Sequence, residues 1–176
     1  MGSIQEVEDY GLESSDTDSR ARAIFGATLT TNSIFIVHGR DNEAKETIAR
    51  FLEKLELNPV ILHEQPDVGQ TIIEKFERNA DVGFAVVLLT PDDVGALASA
   101  SEDLQPRARQ NVVFELGYFV GKLGRSRVCA MVKGKVEIPT DYLGIVYIQL
   151  EGDEWKLGLV KELKEASFDV DANKAL

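Results

Sequence analysis

Cysteine is almost missing from this chain. The single one, Cys129, sits in an apolar run, so no disulfide framework and no Cys-based zinc site can form within one chain. Histidine is nearly as scarce. His38 and His63 fall at the ends of two separate strand-like runs, a poor basis for a metal site. Cations are outnumbered: 19 Lys and Arg face 30 Asp and Glu, for a formal charge of −11. Such a surface repels nucleic acid and anionic membranes, although a local basic pocket can still hold a phosphate-bearing small molecule. No stretch nears the roughly 18 consecutive apolar residues of a membrane span. The N-terminus also lacks the basic-then-apolar order of a secretory signal. The expectation is a soluble, reduced, cytoplasmic protein with neither nucleic acid nor membrane as partner. Standard chemical signatures are absent too. There is no G-x-x-x-x-G-K-[ST] loop, no G-x-G-x-x-G fingerprint and no G-x-S-x-G elbow.

What is present suits one globular domain and a tail. The 176 residues are 44% hydrophobic, enough for a core. Residues 1–32 hold Glu6, Glu8, Asp9, Glu13, Asp16 and Asp18 against two arginines, with Ser and Thr breaking any periodicity. They read as an acidic, flexible tail or linker from an upstream region. Residues 33–176 read as the folded domain.

From Ser33 strands and helices alternate. Ile34 to Val37 forms a first strand, and Asp41 caps a helix whose Ala44, Ile48, Phe51, Leu52 and Leu55 share one face. Pro59 to Leu62 is the second strand, His63 to Gln70 a polar loop, and Ile72, Ile73, Phe76 and Ala80 mark a short helix. Phe84 to Leu89 (FAVVLL) is uninterrupted, as strands buried on both faces of a parallel sheet are. Residues 94–105 read as a flexible loop or irregular helix, and 107–123 as the best helix, closed by Gly124. Val128 to Val132 and Ile145 to Leu150 supply strands four and five, and 154–166 the last helix. This alternation predicts an α/β, three-layer, flavodoxin-like fold with a five-stranded parallel sheet in the order 2-1-3-4-5.

In that order strands one and three flank the switch point. Their ends, His38, Gly39, Arg40 and Asp41 with Thr90, Asp92 and Asp93, are expected to line one cleft. A phosphoryl-receiver domain shares the topology but needs a lysine after strand five, where Gln149, Leu150 and Glu151 stand. On the helix over 107–123, Asn111, Glu115, Tyr118 and Lys122 form a polar stripe, with Glu115 at the margin of the buried face. An ordinary surface pairing of Glu115 with Tyr118 or Lys122 is the competing explanation. Arg40, or the amides of residues 39–42, is a candidate for a pyrophosphate; Asp92 or Asp93 is one for ribose hydroxyls.

Three blocks together resemble the bacterial TIR-like family of CBASS and Pycsar anti-phage effectors. They are Ile34 to Gly39 (IFIVHG), Phe84 to Asp93 (FAVVLLTPDD) and Arg109 to Phe119 (RQNVVFELGYF). The resemblance runs from about residue 33 to 174. It implies cleavage of the nicotinamide–ribose bond of NAD+, a substrate rather than a cofactor, with no metal and one catalytic glutamate, Glu115. The product would be ADP-ribose or a cyclised form. Many such domains carry tryptophan four residues before that glutamate, where this chain has Asn111. The resemblance further implies self-association, with loop 63–70 taking part, and an upstream cyclic-nucleotide sensor. Two other readings stand beside it: a TIR assembly module without chemistry, and an enzyme like the nucleoside deoxyribosyltransferases. At pKa about 4.3 an unperturbed Glu115 is expected to be ionised at neutral pH.

Overall fold

A computed structural model describes residues 31–61, 81–139 and 144–175. In chain order these form β1 (Ser33–Val37), α1 (Asn42–Lys54), β2 (Asn58–Ile61), β3 (Phe84–Leu89), β4 (Asp93–Gly95), β5 (Gln105–Arg107), α2 (Gln110–Leu123), β6 (Val128–Val132), β7 (Val146–Gln149) and α3 (Glu154–Glu165). Five strands make one parallel sheet in the order β2-β1-β3-β6-β7, the order expected from the alternation. Register is set by pairs such as Val37 with Val87 and Val87 with Ala130, which place β3 at the centre. Every residue of β3 is buried, which accounts for its unbroken apolar run.

Side chains alternate across the sheet and build two cores. Ile34, Ile36, Phe84, Val86 and Leu88 face α1 and α3, whose Ile48, Leu52, Trp155 and Leu159 cover them. Phe35, Val37, Ala85, Val87 and Leu89 face the other way, beneath Val112, Leu116 and Phe119 of α2. The caps follow the sequence as well. The Asp41 side chain accepts the Ala44 amide at 2.9 Å, and Gly124, at φ 82°, closes α2 by donating to the Val120 carbonyl. Glycine suits that left-handed position.

Two segments differ from expectation. Residues 94–105 are not simply loop or irregular helix. β4 and β5 pair as an antiparallel ribbon, joined through a 3-10 turn at Ala98–Ala100. α2 consequently starts at Gln110 rather than 107, because Gln105–Arg107 is used as a strand. Pro106 is tolerated in this short ribbon because only its N–H is missing, while its carbonyl still accepts the Glu137 amide at 2.8 Å. The second difference is the C-terminal segment after α3. Phe168 lies edge-on to Phe84, Val170 and Ala175 are buried, and Lys174 Nζ reaches Glu56 at 2.6 Å. Loop 63–70, the helix expected over 72–80 and His63 lie outside the described residues. Among those described, no helix is long and apolar enough to cross a membrane.

Candidate active site

The ends of β1 and β3 meet as the switch-point argument requires. Gly39 is pressed against Asp92: a Cβ at position 39 would fall 1.7 Å from Asp92 Oδ2. The buried Thr90 hydroxyl donates to that same oxygen at 2.9 Å, so the carboxylate is held from two sides. Arg40 Nη1 donates to Asp93 Oδ1 at 2.5 Å and to the Asp92 carbonyl at 3.2 Å. The hydrogen bond and charge of Asp93 raise the guanidinium further above its ordinary value. His38, half-buried, sets Nδ1 3.0 Å from the Gly39 carbonyl, a geometry that takes Nδ1–H as donor.

Asp41 does more than cap. Its second oxygen takes Lys133 Nζ at 2.8 Å, and the same ammonium reaches Glu43 at 3.0 Å. Burial pushes the Asp41 carboxyl up. Hydrogen bonds from Lys133 and from the Ala44 amide outweigh it, and the group lies below its ordinary value. Lys133, raised by Asp41 and Glu43, follows the last residue of β6 and was not among the expected site residues. Only its place after strand four, at the ligand-bearing edge of such sheets, pointed to it.

Glu115 occupies the second turn of α2, half-buried on the flank of the line Val112–Leu116–Phe119. Burial pushes its carboxyl from 4.5 up to about 7, with the charge of Arg109 pulling down. The expected unperturbed, fully ionised glutamate is therefore corrected, since the helix margin is dry enough to penalise charge. The competing surface pairing is not made either. Lys122 lies over the Tyr118 ring at 6.0 Å, and among the described residues Glu115 has no hydrogen bond or ion pair. The helix is pinned one turn further on, where Phe119 meets Phe35 of β1 at 4.6 Å. Asn111 is exposed and Tyr118 half-buried on the same stripe. Thus β1 and β3 residues are joined by direct contacts. Asn111, Glu115 and Tyr118 come to them only through a helix that crosses β1, β3 and β6.

A doubly wound parallel sheet, polar groups at its switch point and a half-buried carboxylate on the helix that follows the central strand and its ribbon define an α/β domain of TIR type. Residues 33–152 match the TIR domain of the CAP12/Pycsar effector proteins, and the chain belongs to that family. It is 48% identical over 172 residues to the Escherichia coli (strain K12) uncharacterized protein YuaY, covering 97% of this chain and 56% of that protein. It is 39% identical over 132 residues to protein tirC of Dictyostelium discoideum, covering 68% and 65% respectively. The Burkholderia cepacia Pycsar effector protein BcPycTIR is 39% identical over 90 residues, 49% of this chain and 29% of that one. The chain thus spans less than two thirds of the length of each of these relatives.

Proposed function

We propose that this domain cleaves the nicotinamide–ribose bond of NAD+, releasing nicotinamide and ADP-ribose or a cyclised form, as a cytoplasmic effector in anti-phage defence. The observation that carries the reading is Glu115, a half-buried carboxylate with no hydrogen bond or ion pair among the described residues, on the helix that packs across β1 and β3. Keeping such a group costs stability, and a module used only for assembly has no need of it.

The chemistry fits one carboxylate. Nicotinamide leaves a cationic pyridinium as a neutral molecule, so no acid is needed to protonate it, unlike the leaving oxygen of most glycosides. As the C1′–N bond breaks, positive charge moves to the ribose, and a carboxylate already in place in a dry site stabilises it. The incoming cation also favours the ionised form of Glu115. Water adds its oxygen to C1′ and gives up a proton, for which a carboxylate of pKa about 7 is a serviceable acceptor at neutral pH. The balance is NAD+ plus water giving nicotinamide, ADP-ribose and a proton, with no metal or further cofactor called for.

The remaining roles follow from charge. Asp92, held by Thr90 and Gly39, is the acceptor suited to ribose hydroxyls. Arg40 is a better pyrophosphate partner than the amides of residues 39–42. The carboxylates of Asp41 and Glu43 both add negative charge to that turn. Binding then requires Arg40 to share or release Asp93. Asn111, Tyr118 and His38 are taken as further contacts of the substrate. An upstream cyclic-nucleotide sensor and self-association through TIR surfaces, loop 63–70 among them, complete the proposal.

Incubating the chain with NAD+ and measuring free nicotinamide tests it. Release that falls at least about 100-fold in Glu115→Gln is the expected result, the loss typical of a removed charge-stabilising group. Retention of more than half the parental rate would remove Glu115 from the chemistry. Release of free base from deoxyribonucleosides, but not from NAD+, would favour the deoxyribosyltransferase-like reading instead.

A further inference from the structure

Helix α2 has two flanks. Asn111, Glu115 and Tyr118 fall on one side of the buried line through Val112, Leu116 and Phe119, while Gln110 and Val113 fall on the other. The second flank borders an open cavity of about 330 Å3 lined by Arg107, Ala108, Gln110, Val113, Glu137 and Pro139. A neighbouring cavity of about 380 Å3 lies under the β4–β5 ribbon, and Arg107 and Glu137 belong to both. Each is of a size that holds a small ligand.

Arg107 gives this space its chemistry. Its Nε is buried and, among the described residues, has no hydrogen-bond partner. The guanidinium lies against Gly95, where a Cβ would come within 2.4 Å of the guanidinium carbon. The cations of the sheet edge and of the C-terminal segment are, by contrast, occupied. Arg40 holds Asp93, Lys133 holds Asp41, Lys156 holds Asp153 and Lys174 holds Glu56. Glu137 runs beside Arg107 as a bridged neighbour, its amide donating to the Pro106 carbonyl at 2.8 Å, yet no ion pair forms between the two side chains. A buried N–H with no acceptor is destabilising, and Arg107 lines both cavities, so an anion that enters them meets an unneutralised guanidinium. The first turn of α2 adds the same polarity, since Arg109 makes no side-chain cap and no acidic residue follows it.

The geometry points to a second ligand site on the flank of α2 away from Glu115. It takes a small molecule with one anionic group, a carboxylate or phosphate, on Arg107, and an apolar body against Ala108, Val113 and Pro139. Arg107 supplies the forked donors that such oxygens match. Glu137, exposed at the rim, accepts from an N–H or O–H that the ligand carries beside its acid.

The test is a titration of the 15N-labelled chain, followed through Arg Nε–Hε and backbone amide signals, with benzoate and inorganic phosphate as separate probes. Using Glu115→Gln as the parent keeps the outcome independent of NAD+ turnover. Saturable shifts of Arg107 Nε–Hε and the Val113 amide are expected, with Kd about 1 mM for probes this small and Asn111 and Tyr118 unmoved. The tighter probe identifies the anion. Arg107→Gln should weaken binding at least about tenfold, the loss of a charge-assisted pair. Gln110→Glu changes an exposed first-turn residue, where a carboxylate suits the helix, so the fold is retained while the new charge weakens either probe by about threefold or more. No saturable shift with either probe, or parental affinity in Gln110→Glu, overturns the assignment.

Discussion

At neutral pH Glu115 is divided between charged and neutral forms, because burial lifts its carboxyl from 4.5 to about 7. The folded pKa lies above the unfolded one, so the native state holds the proton more tightly. Stability from this group is complete below about pH 4.5 and is lost as pH rises through about 7. The full shift corresponds to about 3 kcal/mol, and solvent at the open edge of the site reduces that to about 2 kcal/mol. Glu115→Gln should therefore melt about 5 °C above the parent near pH 8 and close to it near pH 5, which calorimetry at the two pH values would show. Identical melting at both would mean that the carboxylate is solvated. The same ionisation should govern turnover: kcat/KM for NAD+ is expected to rise with pH through about 7 and level off above it, since the charged form is the active one. Gly39 offers a different kind of test. The atom that a new Cβ meets is the tip of Asp92, which can swing away, so Gly39→Ala should fold and cost only about 1 kcal/mol for the Thr90 hydrogen bond. Affinity for NAD+ should drop by more than that, as a rise in KM, if Asp92 holds the ribose.

Elements with one dominant signal are legible in the sequence. FAVVLL is apolar throughout and forms the central strand; Asp41 and Gly124 carry cap chemistry and act as caps. The β4–β5 ribbon is not legible. Its strands have three residues each, Pro106 interrupts one, and Val94, Leu97 and Leu104 point outward, so neither period-2 alternation nor helical spacing can develop. The same reason applies to the site. Position at a strand end nominates Arg40, Thr90 and Asp92, because topology alone fixes that edge. The pairing of Lys133 with Asp41 joins residues 92 apart and leaves no local trace, and the burial of Glu115 depends on what packs around α2. The segment after α3 is likewise silent, though it seals the core. Phe168 covers Phe84 and lies where a Cβ on Gly83 would come within 2.6 Å of its ring, with the Thr31 carbonyl on the other side at 3.0 Å. Truncation after Glu165 should therefore cost about 3–5 kcal/mol, since it exposes the Phe84 edge and removes buried Val170 and Ala175. Gly83→Ala should cost about 2 kcal/mol, because a backbone carbonyl cannot give way as a side-chain tip can. Urea unfolding of both variants checks the order, and a truncated chain as stable as the parent would show that the segment only rests on the surface.

For the whole molecule the governing quantity is charge. Each chain carries −11, and bringing two such surfaces together is repulsive over the Debye length of about 8 Å at physiological salt. An effector that consumed NAD+ continuously would also drain its own cell, so a resting domain should hold its site incomplete. Competence then becomes a population shift toward the assembled state, driven by whatever raises the local concentration of domains. Repulsion and assembly oppose one another, and the balance fixes the sign of two effects. Rate per molecule should climb with protein concentration, because association is second order while cleavage within an assembly is not. Moderate salt should also raise that rate at fixed concentration by screening the charge, the reverse of what a steered encounter between opposite charges would give. Loop 63–70 is the proposed contact, so substituting Pro66 or Gly69 should flatten the concentration dependence while leaving the melting temperature near that of the parent. Measuring nicotinamide release from nanomolar to high micromolar protein, at low and at moderate salt, decides it. Specific activity that stays level across the range at both salts would mean that a single chain already contains a complete site and that assembly serves some purpose other than catalysis.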